Sequence, residues 1–114
     1  MSHEDNRSRL RHMLDYAQEA VEMVGGVKRE ALDQDRKLNL SLVRLLEVVG
    51  EAAGRIPENF RAEHPKVPWR DIADLRNRLI HGYDSVNFDV LWQIVRKDLP
   101  PLIENLKHIL EEKP

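Results

Sequence analysis

Apolar residues recur at steps of three and four along most of the chain. Leu10, Met13, Leu14, Ala17, Val21 and Val24 form one such stripe, the period of a helix packed on one side. Ser2, with Asp5 three residues on, is placed to cap its start, and Gly25-Gly26 to end it. The stretch "VKREALDQ" follows as a linker with room for a helical turn. A second helix is predicted from about Asp35 to Ala53, closed by Gly54. Its Leu38, Leu40, Leu42, Val43, Leu45, Leu46, Val48, Val49, Ala52 and Ala53 cover nearly the whole circumference. A helix of that kind belongs at the centre of a bundle. Arg44, Glu47 and Glu51 interrupt it at i, i+3 and i+7, one polar stripe along one face. That stripe is either a solvated edge with an Arg–Glu pair, or a face turned to a polar cleft or subunit interface.

"IPENFRAEHPKVPW" carries three prolines. Pro57 and the acids after it suit the first turn of a short helix, and Pro65 stops it. Pro68 then opens "PWRDIADLRNRLIHGY", a helix with Trp69, Ile72, Leu75 and Leu79 as its apolar face. Gly82 is placed to end it in the left-handed conformation. "DSVN" reads as a turn, with Asn87 or Asp89 as the next cap. The last helix reads Val90, Leu91, Ile94, Val95, Leu99, Leu102, Ile103, Leu106, Ile109 and Leu110. Pro100-Pro101 must kink or interrupt it, because proline lacks the backbone donor and clashes with the turn before it. Strand signals are nearly absent. The expectation is all-α: a four- to five-helix up-down bundle, one domain over residues 1–114.

Composition narrows the function. The chain has 114 residues, enough for one core without staples. With no cysteine there are no disulfides and no thiolate metal sites. The first residues, "MSHEDNRSRLRH", lack the apolar core of a signal peptide, and no apolar run is long enough for a membrane. A cytoplasmic protein is the default expectation. Lys and Arg number 18 against 20 Asp and Glu, a net charge of −2. That argues against a generic polyanion binder, whose affinity rests on neutralising many phosphates. It leaves room for a nuclease, which needs only a local basic cleft.

"RNRLIHGY" (76–83) is the densest chemistry in the chain. His81 titrates near neutrality and can act as general base or acid. Arg76 supplies a permanent charge and a fork that fits phosphate oxygens. Together they suffice to cleave RNA without a metal: the base activates the 2′-hydroxyl and the arginine stabilises charge building on phosphorus. On an ideal helix, five steps at about 100° put His81 roughly 140° round from Arg76. The two would converge only if the last turn loosens before Gly82, or if two subunits pool their residues. The plainer reading is that a helix C-terminus favours cations in any case. No metal-ligand spacing joins the other histidines, and no glycine-rich phosphate loop or nucleophile elbow is present. Trp69 and Trp92 sit in apolar helical patterns and read as core anchors rather than base-stacking platforms.

With these residues in view, the chain resembles the HepT toxins of the HEPN superfamily of helical RNases. "RNRLIHGY" matches their Arg-x4-His-x-Tyr signature. "LVRLLEVVGEAAGRIPENFRAEHPKVPWRDIADLRNRLIHGY" resembles the family's central block, and "DLPPLIENLKHIL" its final helix. The resemblance implies a homodimer whose arginines and histidines line one composite cleft between subunits. It implies a metal-independent endoribonuclease with no cofactor, acting on tRNA or mRNA. Arg76 and His81 would be catalytic, supported by Asn77 and Arg78, with Arg44, Glu47 and Glu51 bordering the cleft. It further implies the toxin half of a type VII-like toxin–antitoxin pair. The partner would be an MntA-type nucleotidyltransferase antitoxin that transfers AMP to Tyr83, placing a bulky anion where RNA phosphate must bind. The competing expectation is a non-catalytic nucleotide-binding or protein-interaction module, with Arg76 and His81 holding a ligand phosphate.

Overall fold

The computed structural model describes residues 3–81 and 85–112. The first stripe forms α1, His3–Met23, with Leu10, Met13, Leu14 and Ala17 buried. The cap expected at Ser2 lies outside the described residues. Gly26 takes φ +75, the left-handed value that carries the chain out of this helix. The linker does hold a turn, α2 at Ala31–Gln34, which buries Leu32. Helix α3 runs Arg36–Gly54, and the Asp35 carboxylate accepts the Leu38 N–H at 3.0 Å to cap it. A short α4, Glu58–Glu63, follows Pro57. Arg61 on α4 reaches back to the carbonyl end of α3, donating to Ala53 O at 2.7 Å and Ile56 O at 2.9 Å. These bonds bring a cation to the negative end of α3. Arg61→Ala is expected to cost about 1–2 kcal/mol, read as a lower urea midpoint with unchanged slope.

The motif segment departs from the expected single helix. It forms α5, Trp69–Ala73, and α6, Leu75–Leu79, broken at Asp74. The Asp74 carboxylate accepts the Asn77 side-chain N–H, a local bond that competes with helix continuation. Nor does the helix reach Gly82. At Ile80 the backbone turns extended (φ −100, ψ 121), and the Leu79 carbonyl accepts from the Asn87 N–H at 2.8 Å. Ile80–His81 (β1) then pairs antiparallel with Ser85–Val86 (β2), Ile80 opposite Val86 and His81 opposite Ser85. Gly82, Tyr83 and Asp84, and with them the expected left-handed ending, lie outside the described residues.

Asn87 caps α7, Phe88–Gln93, by accepting the Val90 N–H at 3.1 Å. Arg29 ties this turn to the α1–α2 connection through Asp89 at 2.8 Å and Asp33 at 3.0 Å. The chain then continues into α8, Leu99–Glu111, without a break. The prolines are accommodated differently from a kink. Ile94–Asp98 widens to π-helical geometry, with Leu99 N–H reaching Ile94 O, five residues back. The wider turn makes room for the rings of Pro100 and Pro101, which have no N–H to give.

Helix α3 packs against α1, α5 and α6, and α8 covers the other flank of α1. One core results, from Leu10 and Met13 through Leu42, Leu46, Val49, Leu75 and Leu79 to Leu102 and Leu106. The fold is all-α, with the two-residue strand pair as a minor addition. The central position of α3 holds, but its apolar coat is not fully covered. Leu42, Leu46, Val49 and Ala53 are buried, whereas Leu40 is 51% exposed. Leu40 lies on the side of Arg44, Glu47 and Glu51, which the single chain leaves open. Among the described residues, no helix is long and apolar enough to cross a membrane.

Candidate active site

A glycine sets the geometry of the motif. At Gly50 a side-chain carbon would stand 2.9 Å from the Ile72 carbonyl oxygen and 3.8 Å from the Leu75 Cβ. Helix α5 therefore crosses α3 closer than any residue with a side chain allows, and α6 follows directly from it. One turn further along α3, Gly54 stands against Ala73, 3.9 Å from its Cβ. Gly50→Ala gains about 1 kcal/mol of helix propensity but drives a methyl into a backbone carbonyl. Net destabilisation of about 1–2 kcal/mol is expected, from the usual cost of overpacking, measured by thermal melting.

This crossing delivers Arg76 to the polar stripe. Arg44, Glu47, Gly50, Glu51, Ala73 and Arg76 line one solvent-open hollow of about 200 Å³. Glu47 is half-buried there, while Arg44, Glu51 and Arg76 are exposed. Among the described residues, none of these four charged side chains makes an ion pair or a side-chain hydrogen bond. The Arg–Glu pair expected of a solvated edge is not formed. Two arginines and two carboxylates instead face a shared space.

The other motif residues are placed differently. Asn77 is exposed and bonded to Asp74. Arg78, two steps or about 200° round from Arg76, donates to Asp98 at 3.0 Å. It lines a separate hollow with Lys66, Asp71, Lys97 and Asn105. The backbone at His81 has left the helix for β1, so the ideal-helix separation of Arg76 and His81 no longer applies. Tyr83 lies outside the described residues. Trp69 is buried and donates to His64 O at 3.0 Å. Trp92 is half-buried, with the Arg96 guanidinium 5.4 Å from its ring centroid. Each tryptophan is thus engaged within the fold.

Sequence reasoning passed over Gly50 and Ala73. A signal for Gly50 existed: glycine inside an otherwise strongly apolar helix costs about 1 kcal/mol against alanine, a cost that points to a close approach.

Comparison with known proteins identifies the family. The family model described as "Ribonuclease HepT-like" matches residues 13–109. A protein of Caldanaerobacter subterraneus subsp. tengcongensis, named as a candidate RNase, is 38% identical over 94% of this chain and 96% of its own. One from Thermococcus cleftensis, named as a candidate ribonuclease HepT, is 39% identical over 84% of this chain and 90% of its own. A third, from Methanocaldococcus jannaschii and also named as a candidate RNase, is 31% identical over 98% and 93%. No solved structure matches the chain. An all-α domain that holds Arg76 of the Arg-x4-His-x-Tyr motif open beside an acidic stripe, and that matches this family over most of its length, belongs to the HepT-like ribonuclease family.

Proposed function

We propose that the chain is a metal-independent endoribonuclease, the toxin of a type VII-like toxin–antitoxin pair. The observation that carries the reading is Arg76, which lines an open hollow and pairs with none of the described residues, within a chain of the HepT-like ribonuclease family. An arginine free of partners, with its fork in solvent, can receive a phosphate without breaking a structural bond. Arg76 holds the scissile phosphodiester and His81 moves a proton, while Asn77, Arg44, Glu47 and Glu51 border the substrate. Arg78 supports the site indirectly, by anchoring α6 to Asp98. The active form is a homodimer in which two motifs form one cleft. The exposed Leu40, beside the polar stripe on α3, supports a second copy packing there. The protein works in the cytoplasm on tRNA or mRNA. A nucleotidyltransferase antitoxin of the MntA type neutralises it by transferring AMP to Tyr83, which adds charge and bulk against the RNA phosphate.

The test is incubation of the purified protein, its Tyr83 shown unmodified by intact mass, with total cellular RNA in chelator beside His81→Ala. Cleavage by the parent and none by the variant is the expected result. Nucleotide binding without turnover by either would replace this reading with that of a non-catalytic binding module.

A further inference from the structure

The chain's net charge of −2 gives it no general attraction for RNA. Affinity for a strand then has to come from local groups of cations. A second hollow supplies such a group. Lys66, Arg78 and Lys97 meet in an open space of about 560 Å³. They come from three separate places: the connection before α5, α6, and the π-helical turn before α8. Asp71 and Asp98 are the carboxylates there, so cations outnumber acids by three to two. The hollows beside α3, between α4 and α5, and between α4 and α8 are balanced or acidic.

Resting on the ribonuclease reading above, we propose that this hollow is a second RNA subsite, in which Lys66 and Lys97 hold a phosphate of the strand outside the bond that is cut. The state of the cations is the first support. Arg78 is committed to Asp98 at 3.0 Å. Lys66 and Lys97 are exposed and pair with none of the described residues, although Asp71 lines the same hollow. Two ammonium groups are left to share one phosphate. Lys97 stands on the π-helical turn, a geometry concentrated at functional sites. Asn105 donates to the Lys66 carbonyl at 3.5 Å, which ties the connection before α5 to α8.

The walls are the second support. The exposed rings of Pro68 and Pro101 line the hollow beside the lysines. A nucleotide needs both surfaces, cations for its phosphate and apolar area for its ribose and base. The volume falls within the range of about 300–1,000 Å³ common to small-ligand sites.

Position is the third support. Arg76, Asn77 and Arg78 follow one another on α6 at steps of about 100°. The two hollows therefore lie on opposite sides of one helix, with the exposed Asn77 between them. A helix is about 10–12 Å across, a width that a few nucleotides of a single strand span. A strand with its scissile phosphate at Arg76 reaches Lys66 and Lys97 along the protein surface.

The test measures binding apart from cleavage. A short fluorescent RNA with 2′-O-methyl groups lacks the attacking hydroxyl and keeps every phosphate. Its affinity is followed against salt for wild type, for Lys66→Ala with Lys97→Ala, and for Lys28→Ala with Lys107→Ala. The last pair removes the same charge outside the hollow. The hollow pair is expected to weaken binding by about 10-fold or more at low salt. It should also lower the slope of log affinity against log salt by about 0.7, the value for one phosphate contact on a single strand. On cleavable RNA it should raise KM and leave kcat near that of wild type. An unchanged affinity and slope, an equal loss in the control pair, or a fall in kcat without a rise in KM would each overturn the proposal. So would loss of binding to free uridine monophosphate with RNA binding intact, which would make the hollow a mononucleotide site. Should the hollow pair fail to fold by circular dichroism, Lys97→Gln alone replaces it, and an unchanged affinity and slope again overturn the proposal. A wild type that cuts no RNA, yet binds the methylated strand through Lys66 and Lys97, would remove the ribonuclease reading and leave the subsite standing.

Discussion

Arg76→Ala is expected to lower RNA cleavage by about 10²–10³-fold, the usual loss when one charge-stabilising donor is removed. Its folding free energy should stay within about 0.5 kcal/mol of wild type, as for a surface change away from structural contacts. The two halves of this expectation come from one observation: Arg76 is exposed and makes no ion pair or side-chain hydrogen bond among the described residues. No contact among the described residues depends on its side chain. Arg76→Lys should recover little, because an ammonium presents a point charge where the guanidinium presents a fork. Arg78→Ala makes the contrast within the same motif. It removes the bond to Asp98 and should cost about 0.2–1 kcal/mol of stability, as for half-exposed ion pairs, with far less effect on rate. Parallel kinetics and denaturation curves on the three variants decide the matter. Equal kinetic losses for Arg76→Ala and Arg78→Ala would mean that the hollow beside α3 is not where the phosphate sits.

Leu75→Ala should have the largest effect on the fold, about 2–5 kcal/mol, the range for a buried leucine cut back to its Cβ. Leu75 is fully buried, and its Cβ stands against Gly50 beside the close approach of α5 to α3. The glycine has no atoms to move into the space, and the Ile72 carbonyl fixes the spacing of the backbones, so collapse is restricted and the upper half of the range applies. Domains of this size are stable by about 5–15 kcal/mol, so the variant should remain folded with a markedly lower guanidinium midpoint. Its activity should fall as well, since Arg76 is the next residue and takes its position from this contact. A loss below about 1 kcal/mol would mean that α6 is held chiefly by its other buried residue, Leu79.

Much of this architecture is legible in the residues. The stripe from Leu10 to Val24, the start of the second helix near Asp35, the glycine after α1 and the Asn87 cap all follow from local rules, because each is decided within one helical turn. The break at Asp74 is not legible in the same way. Ile72, Leu75 and Leu79 keep a helical period across it, and no glycine or proline marks it. Ile80–His81 is too short for alternation to show, and its pairing depends on residues beyond a turn. The π-helical stretch shows only as a conflict between a continuous apolar pattern and two prolines. A kink and a widened turn resolve that conflict equally well on paper. For the site, the i, i+3, i+7 stripe on α3 is visible from spacing, and the motif is visible from its residue types. Their meeting is not, since it depends on how closely two helices cross, and that is set by a missing side chain at position 50.

The bonds from Arg7 to the end of α8, 2.6 Å to Leu110 O and 3.3 Å to Glu112 O, have a consequence for synthesis. They join residues 103 and 105 positions apart. At the ribosome's pace of about 5–20 residues per second, the first helix waits several seconds before its last partner emerges. Until then one apolar flank of α1 stays uncovered, and the nascent chain is open to chaperones and to neighbouring chains. Helix α3 shields the other flank far earlier. A chain stalled before α8 would therefore be half-docked and sticky rather than unfolded.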